Sequence, residues 1–255
     1  MVPNGTKWYQ MVPFNSIQNH LYTLRCSVTR KNINIEMKKI ILIGGEKGGT
    51  GKTTIATNIA ILRRQKGREV LVIDADPQGS FNTWSSLREP DIQNDITVMQ
   101  KYGSNLANEI KKLSDKSKYD DIIIDAGGRD SIELRSAMIV ADVMITPLQA
   151  SQLDVWTIGG MQEVVNTASS INQKLKAYIL LNKAPTNPSI KEIEEFNEVF
   201  DEAELSNITR LSSIVKDRVA YRKAAKAGLS VVELPEQDKK ATAEIEKLYN
   251  EVFND

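Results

Sequence analysis

Hydrophobic positions along this chain follow two alternating patterns: short, nearly unbroken apolar runs, and longer stretches in which apolar residues recur every three or four positions. From Met37 onward the alternation is regular. Lys39 to Gly44 reads as a strand leading into a glycine-rich loop, then a helix with Ile55, Ile59 and Leu62 on one face that ends near Gly67. Val70 to Ile73 is a second strand, with a helix predicted around Ser80 to Leu87. After an irregular stretch come a short strand, Ile96 to Met99, and a helix around Leu106 to Leu113. Ile122 to Ile124 is the third fully apolar strand, followed by a helix over roughly Ser131 to Val140. Strand Val143 to Thr146 stops at Pro147, and Tyr178 to Leu181 forms a further strand. Strands that are apolar on both faces imply a parallel sheet covered by helices on both sides, a doubly wound α/β fold. Such sheets bind ligands at the carboxyl ends of their strands.

The first 36 residues differ. They mix Pro3, Pro13, His20 and scattered aromatics without sustained periodicity, and carry Lys7, Arg25, Arg30 and Lys31 against one acid, Glu36. Neither a signal peptide nor the two amphipathic helices of a helix-turn-helix is recognisable there. A poorly ordered extension over residues 1–36 is expected, with Met37 as the natural start and residues 37–255 as one domain.

The stretch Gly45-Glu46-Lys47-Gly48-Gly49-Thr50-Gly51-Lys52-Thr53-Thr54 lies between a predicted strand and a predicted helix. That is the context of a phosphate-binding loop. Glycines let successive N–H groups turn toward an anion, and the helix behind adds its positive end. Lys52 supplies a cation for the β- and γ-phosphates, and the Thr53 hydroxyl is placed for Mg²⁺. The competing reading is a glycine-rich turn before an ordinary helix, which leaves the Gly-Lys-Thr sequence and its flanks unaccounted for.

Carboxylates close two of the strands. Asp125 follows Ile122-Ile123-Ile124 directly, and a carboxylate at the tip of a buried strand is costly without a cation or hydrogen bonds. Holding Mg²⁺, directly or through water, fits it; capping the next turn is the structural alternative. Gly127 and Gly128 behind it would allow a close backbone approach to the phosphates. Asp74 and Asp76 project to the same side of an extended segment. The Asp76-Pro77 pair also suits a plain turn.

One detail departs from the general phosphate loop. Its strict form needs glycine at position 46, where this chain has Glu46, and a second lysine, Lys47, precedes Gly48. The order Lys-Gly-Gly-Thr-Gly-Lys-Thr resembles the deviant Walker A box of the ParA/MinD family of P-loop ATPases, a resemblance that runs from Met37 onward. It implies an ATP- and Mg²⁺-dependent ATPase that forms a nucleotide-sandwich homodimer, with Gly48, Gly49, Thr50, Gly51, Lys52, Thr53 and Thr54 around the phosphates. Lys47 would reach the partner's phosphates, and Asp76 would orient the attacking water. Asp125 would be the Walker B aspartate. Asn182 would face the adenine edge, although an asparagine capping the loop before Pro185 is an equal alternative.

Composition narrows the relatives. One cysteine, Cys26, fits a reducing compartment and excludes cysteine-ligated clusters within a chain, unlike the nitrogenase iron protein and the iron–sulfur carrier ATPases. No apolar run approaches the ~20 residues of a membrane span. Lys+Arg and Asp+Glu each total 33, so any polyanion surface must be local. Residues 191–204 form an acidic helix face with Lys191 as the one base. Residues 205–230 instead hold Arg210, Lys216, Arg218, Arg222, Lys223 and Lys226 against Asp217 alone. Partition members of the family bind DNA without sequence preference through this region; a merely solvated face is the alternative. Lys216, Arg218, Arg222 and Lys223 are the candidate DNA contacts. Arg218 and Lys223 lie far along the chain from the phosphate loop, so replacing these two is expected to spare nucleotide binding.

Three functions compete at this stage. The leading one is a cytoplasmic, nucleoid-associated partition ATPase, stimulated by a cargo-bound, centromere-binding partner protein. A MinD-like membrane cycle would need a basic amphipathic tail, but Glu244 to Asp255 carries Glu244, Glu246, Glu251 and Asp255 against Lys247 alone, so no membrane contact is expected. A non-hydrolysing, nucleotide-gated scaffold is the third, and Asp76 argues against it.

Overall fold

A computed structural model describes residues 37–89, 95–116, 118–128, 130–150, 155–187, 190–203 and 205–253. The expectation of a poorly ordered arm concerns residues 1–36 and lies outside them. Seven strands, β1 (Lys39–Ile43), β2 (Val70–Ala75), β3 (Thr97–Gln100), β4 (Asp121–Ala126), β5 (Val143–Leu148), β6 (Lys176–Ala184) and β7 (Ile208–Lys216), form one sheet in the order β3-β2-β4-β1-β5-β6-β7. Every neighbouring pair is parallel. The helices are α1 (Lys52–Gln65), α2 (Ser80–Ser86), α3 (Leu106–Lys116), α4 (Ile132–Met138), α5 (Val155–Ile171), α6 (Ile190–Glu202), α7 (Val219–Lys226) and α8 (Lys239–Phe253).

Two cores explain the unbroken apolar runs. Ile41, Ile43, Val70, Val72 and Ile123 face one side, where they meet Ile55 and Ile59 of α1, Phe81 and Trp84 of α2, Tyr221 of α7 and Ile245 and Leu248 of α8. The alternate residues Leu42, Leu71, Ile73, Ile122 and Ile124 face the other side, against Leu106 and Ile110 of α3, Leu134 of α4 and Met161 and Val165 of α5. Successive strand side chains point to opposite faces, so each strand has to be apolar on both. The chain adds β2, β3 and β4 on one side of β1 and then crosses to β5 on the other. That reversal beside β1 and β4 is the switch point at which α/β sheets bind ligands.

Differences from the sequence reading have local causes. β5 does not stop before Pro147 but runs through it to Leu148. The last β1–β5 pair is Ile43 with Ile145, so at Pro147 no β1 carbonyl lacks a donor. Helix α5, which the sequence reading did not draw, buries Ile158, Met161, Val165 and Ala168 as one stripe while Glu163, Asn166, Thr167 and Ser170 are exposed; Gly159 and Gly160 inside it weaken the helical signal. Edge strand β7, with the sequence ITRLSSIVK and register shifts against β6, has no clean alternation.

Candidate functional site

The loop between β1 and α1 opens onto a cleft of about 810 Å³ at the carboxyl ends of the strands. Its lining brings together Gly48, Gly49, Gly51, Lys52, Thr53 and Thr54 with Asp76, Gly127 and Gly128, which the sequence had separated by some 80 positions. Gly51 occupies the N-cap of α1 at φ 93, a left-handed conformation that glycine tolerates best. Thr50 is buried, whereas Lys47 is exposed on the outer side of the loop.

Lys52 is almost fully buried, and its Nζ donates to the Lys47 carbonyl at 2.7 Å. Burial lowers its pKa, opposed by the negative charges of Asp125 and Asp76. Thr53 Oγ1 donates to Asp125 Oδ2 at 2.7 Å. Desolvation pushes the Asp125 carboxyl up to about 7; the Thr53 hydrogen bond works against this rise, and the nearby Asp74 adds to it. A hydroxyl and a buried carboxylate side by side fit Mg²⁺, which takes one or two protein ligands and leaves the rest to water and phosphates. Among the described residues no group of three or more His, Cys, Asp or Glu could hold a metal unaided.

The two aspartates at the end of β2 divide the work. Asp74 is fully buried and accepts from the N–H groups of Asn82, at 2.8 Å, and Asp76, at 3.2 Å, so it braces the turn into α2. Burial raises its pKa, and those hydrogen bonds counter the rise. Asp76 is half-exposed and lines the cleft, with one oxygen accepting from Gln78 N at 2.9 Å. Across from it, a Cβ on Gly128 would lie 2.8 Å from Gly48 Cα and 3.0 Å from the Lys47 carbonyl. Only glycine lets the segment after β4 approach the phosphate loop so closely.

A second, smaller cleft of about 250 Å³ is lined by Thr54, Asn182, Lys183, Val215, Lys216, Asp217, Tyr221, Arg222 and Ala225. Asn182 is buried, and its Nδ2 donates to the Thr50 carbonyl at 2.6 Å. Lys216 and Arg222, far from the phosphate loop along the chain, are brought by β7 and α7 to this cleft, which they share with Thr54, whereas Arg218 and Lys223 do not line it. Distance along a doubly wound chain does not measure distance at the strand ends. The four basic candidates also differ among themselves. Arg218 is bound to Glu244 of α8 at 2.6 Å and mostly covered, and Arg222 pairs with Asp217 at 2.6 Å on the surface. Lys223 is exposed and Lys216 half-buried. Sequence reasoning missed Gln149, whose Nε2 donates to the Gly49 carbonyl at 3.1 Å. It also missed Lys183, which followed Asn182 without carrying any motif of its own.

Comparison with known proteins agrees with this geometry. The family description "CobQ/CobB/MinD/ParA nucleotide binding domain" matches residues 41–231. Maintenance of carboxysome distribution protein A of Halothiobacillus neapolitanus is 29% identical over 214 residues, covering 84% of this chain and 95% of that protein. Sporulation initiation inhibitor protein Soj of Bacillus subtilis is 25% identical over 207 residues, covering 64% and 81%. The septum site-determining protein MinD of Pyrococcus horikoshii, solved in complex with Mg-ADP, superposes with a TM-score of 0.61 at 20% identity, covering 84% of this chain and 96% of that one. The chain belongs to the CobQ/CobB/MinD/ParA family of nucleotide-binding domains, a family of P-loop ATPases.

Proposed function

We propose that the protein is a Mg²⁺-dependent ATPase that positions or partitions a cellular cargo by cycling on DNA. The observation that carries this reading is the convergence of Lys52, Thr53 and Asp76 on one cleft, with Asp125 buried behind Thr53 at 2.7 Å and Lys47 exposed on the loop. Bound Mg²⁺ would neutralise phosphate charge and orient the γ-phosphate. Thr53 and Asp125 would hold it. Lys52 meets the β- and γ-phosphates, with Asp125 and Asp76 opposing the lowering of its pKa by burial. Asp76, half-exposed and opposite Gly127, holds and polarises the attacking water. Asn182 and the small cleft take the adenine. Lys47 completes a second copy's site across an ATP-sandwich dimer.

Positioning is supported by relatives whose names concern carboxysome distribution and sporulation control. DNA contact is assigned to the end of β7 and to α7, where Lys216, Arg222, Lys223 and, through its partly covered guanidinium, Arg218 supply positive charge. A cargo-bound partner would stimulate hydrolysis and release the dimer. The membrane-cycling alternative is weakened by α8: Ile245, Leu248, Tyr249, Val252 and Phe253 are buried in the core, so its apolar face is not available to lipid. Among the described residues no helix is long and apolar enough to cross a membrane.

Retention on random-sequence duplex DNA tests the reading, at two salt concentrations and beside a liposome sedimentation control. Binding should require ATP and Mg²⁺, disappear with ADP and fall steeply with salt, because two patches on one dimer act with avidity. Sedimentation with liposomes and indifference to DNA would replace partition with membrane cycling. Absence of ATP turnover with DNA and partner present would leave the scaffold reading.

A further inference from the structure

Lys183 stands at the end of β6 with φ 53, in the left-handed region that side chains with a Cβ avoid. Among the described residues, Asn207 is the other non-glycine with a positive φ, and asparagine tolerates that region where lysine does not. Such a conformation persists when its surroundings enforce it, and it clusters at functional sites.

Its consequence is geometric. In a regular strand the side chains of Asn182 and Lys183 would point to opposite faces of the sheet. The left-handed turn at Lys183 breaks that alternation, and both reach the same loop. Asn182 Nδ2 donates to the carbonyl of Thr50 at 2.6 Å, and Lys183 Nζ donates to the carbonyl of Gly49, also at 2.6 Å. Consecutive residues of β6 hold consecutive carbonyls of the phosphate loop. Gln149, from the end of β5, adds a second donor to Gly49. Each peptide is planar and trans, so its N–H lies antiparallel to its C=O. Fixing the Gly49 and Thr50 carbonyls therefore fixes the N–H groups of Thr50 and Gly51. Lys183 also lines both clefts, a property it shares with Thr54.

From this arrangement we infer that Lys183 is a positioning residue of the nucleotide site. Its ammonium sets the orientation of the phosphate-loop amides, and its stem joins the phosphate cleft to the base cleft. The inference rests on the nucleotide-binding reading above and goes beyond it, because neither the loop motif nor the basic patch includes this lysine.

Three variants test it. Lys183→Gly and Lys183→Asn remove the ammonium yet suit the left-handed backbone, and Lys183→Arg keeps a cation. Thermal unfolding without ligand is measured with Kd for Mg·ATP and for Mg·tripolyphosphate. Lys183→Gly and Lys183→Asn should unfold at no lower temperature than the parent and bind both ligands about tenfold more weakly, the loss expected for one charge-assisted hydrogen bond. Lys183→Arg should restore most of that affinity. Unchanged binding of both ligands by Lys183→Gly overturns the inference and leaves the nucleotide reading standing. Weaker ATP binding with unchanged tripolyphosphate binding also overturns it, since the loop would then be positioned without Lys183. If the parent protein binds no Mg·ATP, the nucleotide reading fails first and the inference falls with it.

Discussion

Strand β4 carries two buried aspartates, Asp121 at its start and Asp125 near its end, each 1% exposed and both facing α1. Their surroundings differ sharply. Asp121 accepts from Arg63 Nε at 2.7 Å and Nη2 at 3.1 Å, from Arg68 Nε at 3.0 Å and Nη2 at 2.9 Å, and from Lys39 N at 3.2 Å. Arg63, itself buried, donates also to the Tyr249 hydroxyl at 3.0 Å and lies 4.8 Å from the Phe253 ring centroid, which ties α8 to α1. Asp125 accepts the Thr53 hydroxyl and has Lys52 as its nearest cationic influence, and its carboxyl is pushed up to about 7. The last turn of α1 neutralises one carboxylate; its first turn leaves the other short of positive charge. A fully paired buried carboxylate holds structure together, whereas an underpaired one is poised for a cation that arrives with the ligand.

The largest expected effect isolates chemistry from structure at the ligand end. Asp76→Ala should lower ATP turnover by about 10²–10⁴-fold, the range for losing a positioned acid–base group. Nucleotide binding should persist and denaturation should move little, so the ATP-bound dimer accumulates; single-turnover kinetics and sedimentation check this. Parent-level hydrolysis would reduce Asp76 to a turn residue.

At the braced end the loss should appear in stability. Asp121→Ala leaves Arg63 buried without its carboxylate and should destabilise the fold by about 3–5 kcal/mol in urea titration. A change below about 1 kcal/mol would show that Arg63 and Arg68 find other partners and that the contrast is overstated.

Asp125→Asn is the opposite case. Removing an underpaired buried charge should raise ligand-free stability at pH 8 by about 1 kcal/mol while weakening Mg·ATP binding. Destabilisation with unchanged Mg·ATP binding would make Asp125 structural, like Asp121.

The smallest effect is a slope. The folded-state pKa of Asp125 lies above its ordinary value of 3.8, so its contribution to stability is present below about pH 4 and lost as pH rises through about 7. Ligand-free stability should fall across that window, and Asp125→Asn should flatten that part of the fall. Mg·ATP affinity should rise across it, because the proton and the cation compete for one carboxylate.

Much of this molecule was legible before folding. The strand ends that carry Asp76, Asp125 and Asn182 were marked by apolar runs, because burial on both faces requires such runs and ligands bind at the strand ends where they stop. The loop from Gly45 to Thr54 announced itself through glycines and lysines whose spacing is local, so no tertiary information was needed. Helix α5 was not read from the sequence because Gly159, Gly160 and a run of small and polar residues interrupt its stripe of Ile158, Met161, Val165 and Ala168. Edge strand β7 was hidden because a half-covered strand tolerates serine and threonine at irregular positions.

The sequence by itself determined the parallel α/β class, the phosphate loop and the residue types at the strand ends, all of which depend on neighbours a few positions away. Tertiary structure decided which distant residues meet. It set Arg63 and Arg68 on Asp121, brought Lys216 and Arg222 to a cleft beside Thr54, tied Arg218 to Glu244, and turned Lys183 onto Gly49. The order of strands in the sheet fixes those meetings, and strand order is set by packing among elements far apart in the chain, which no local pattern encodes.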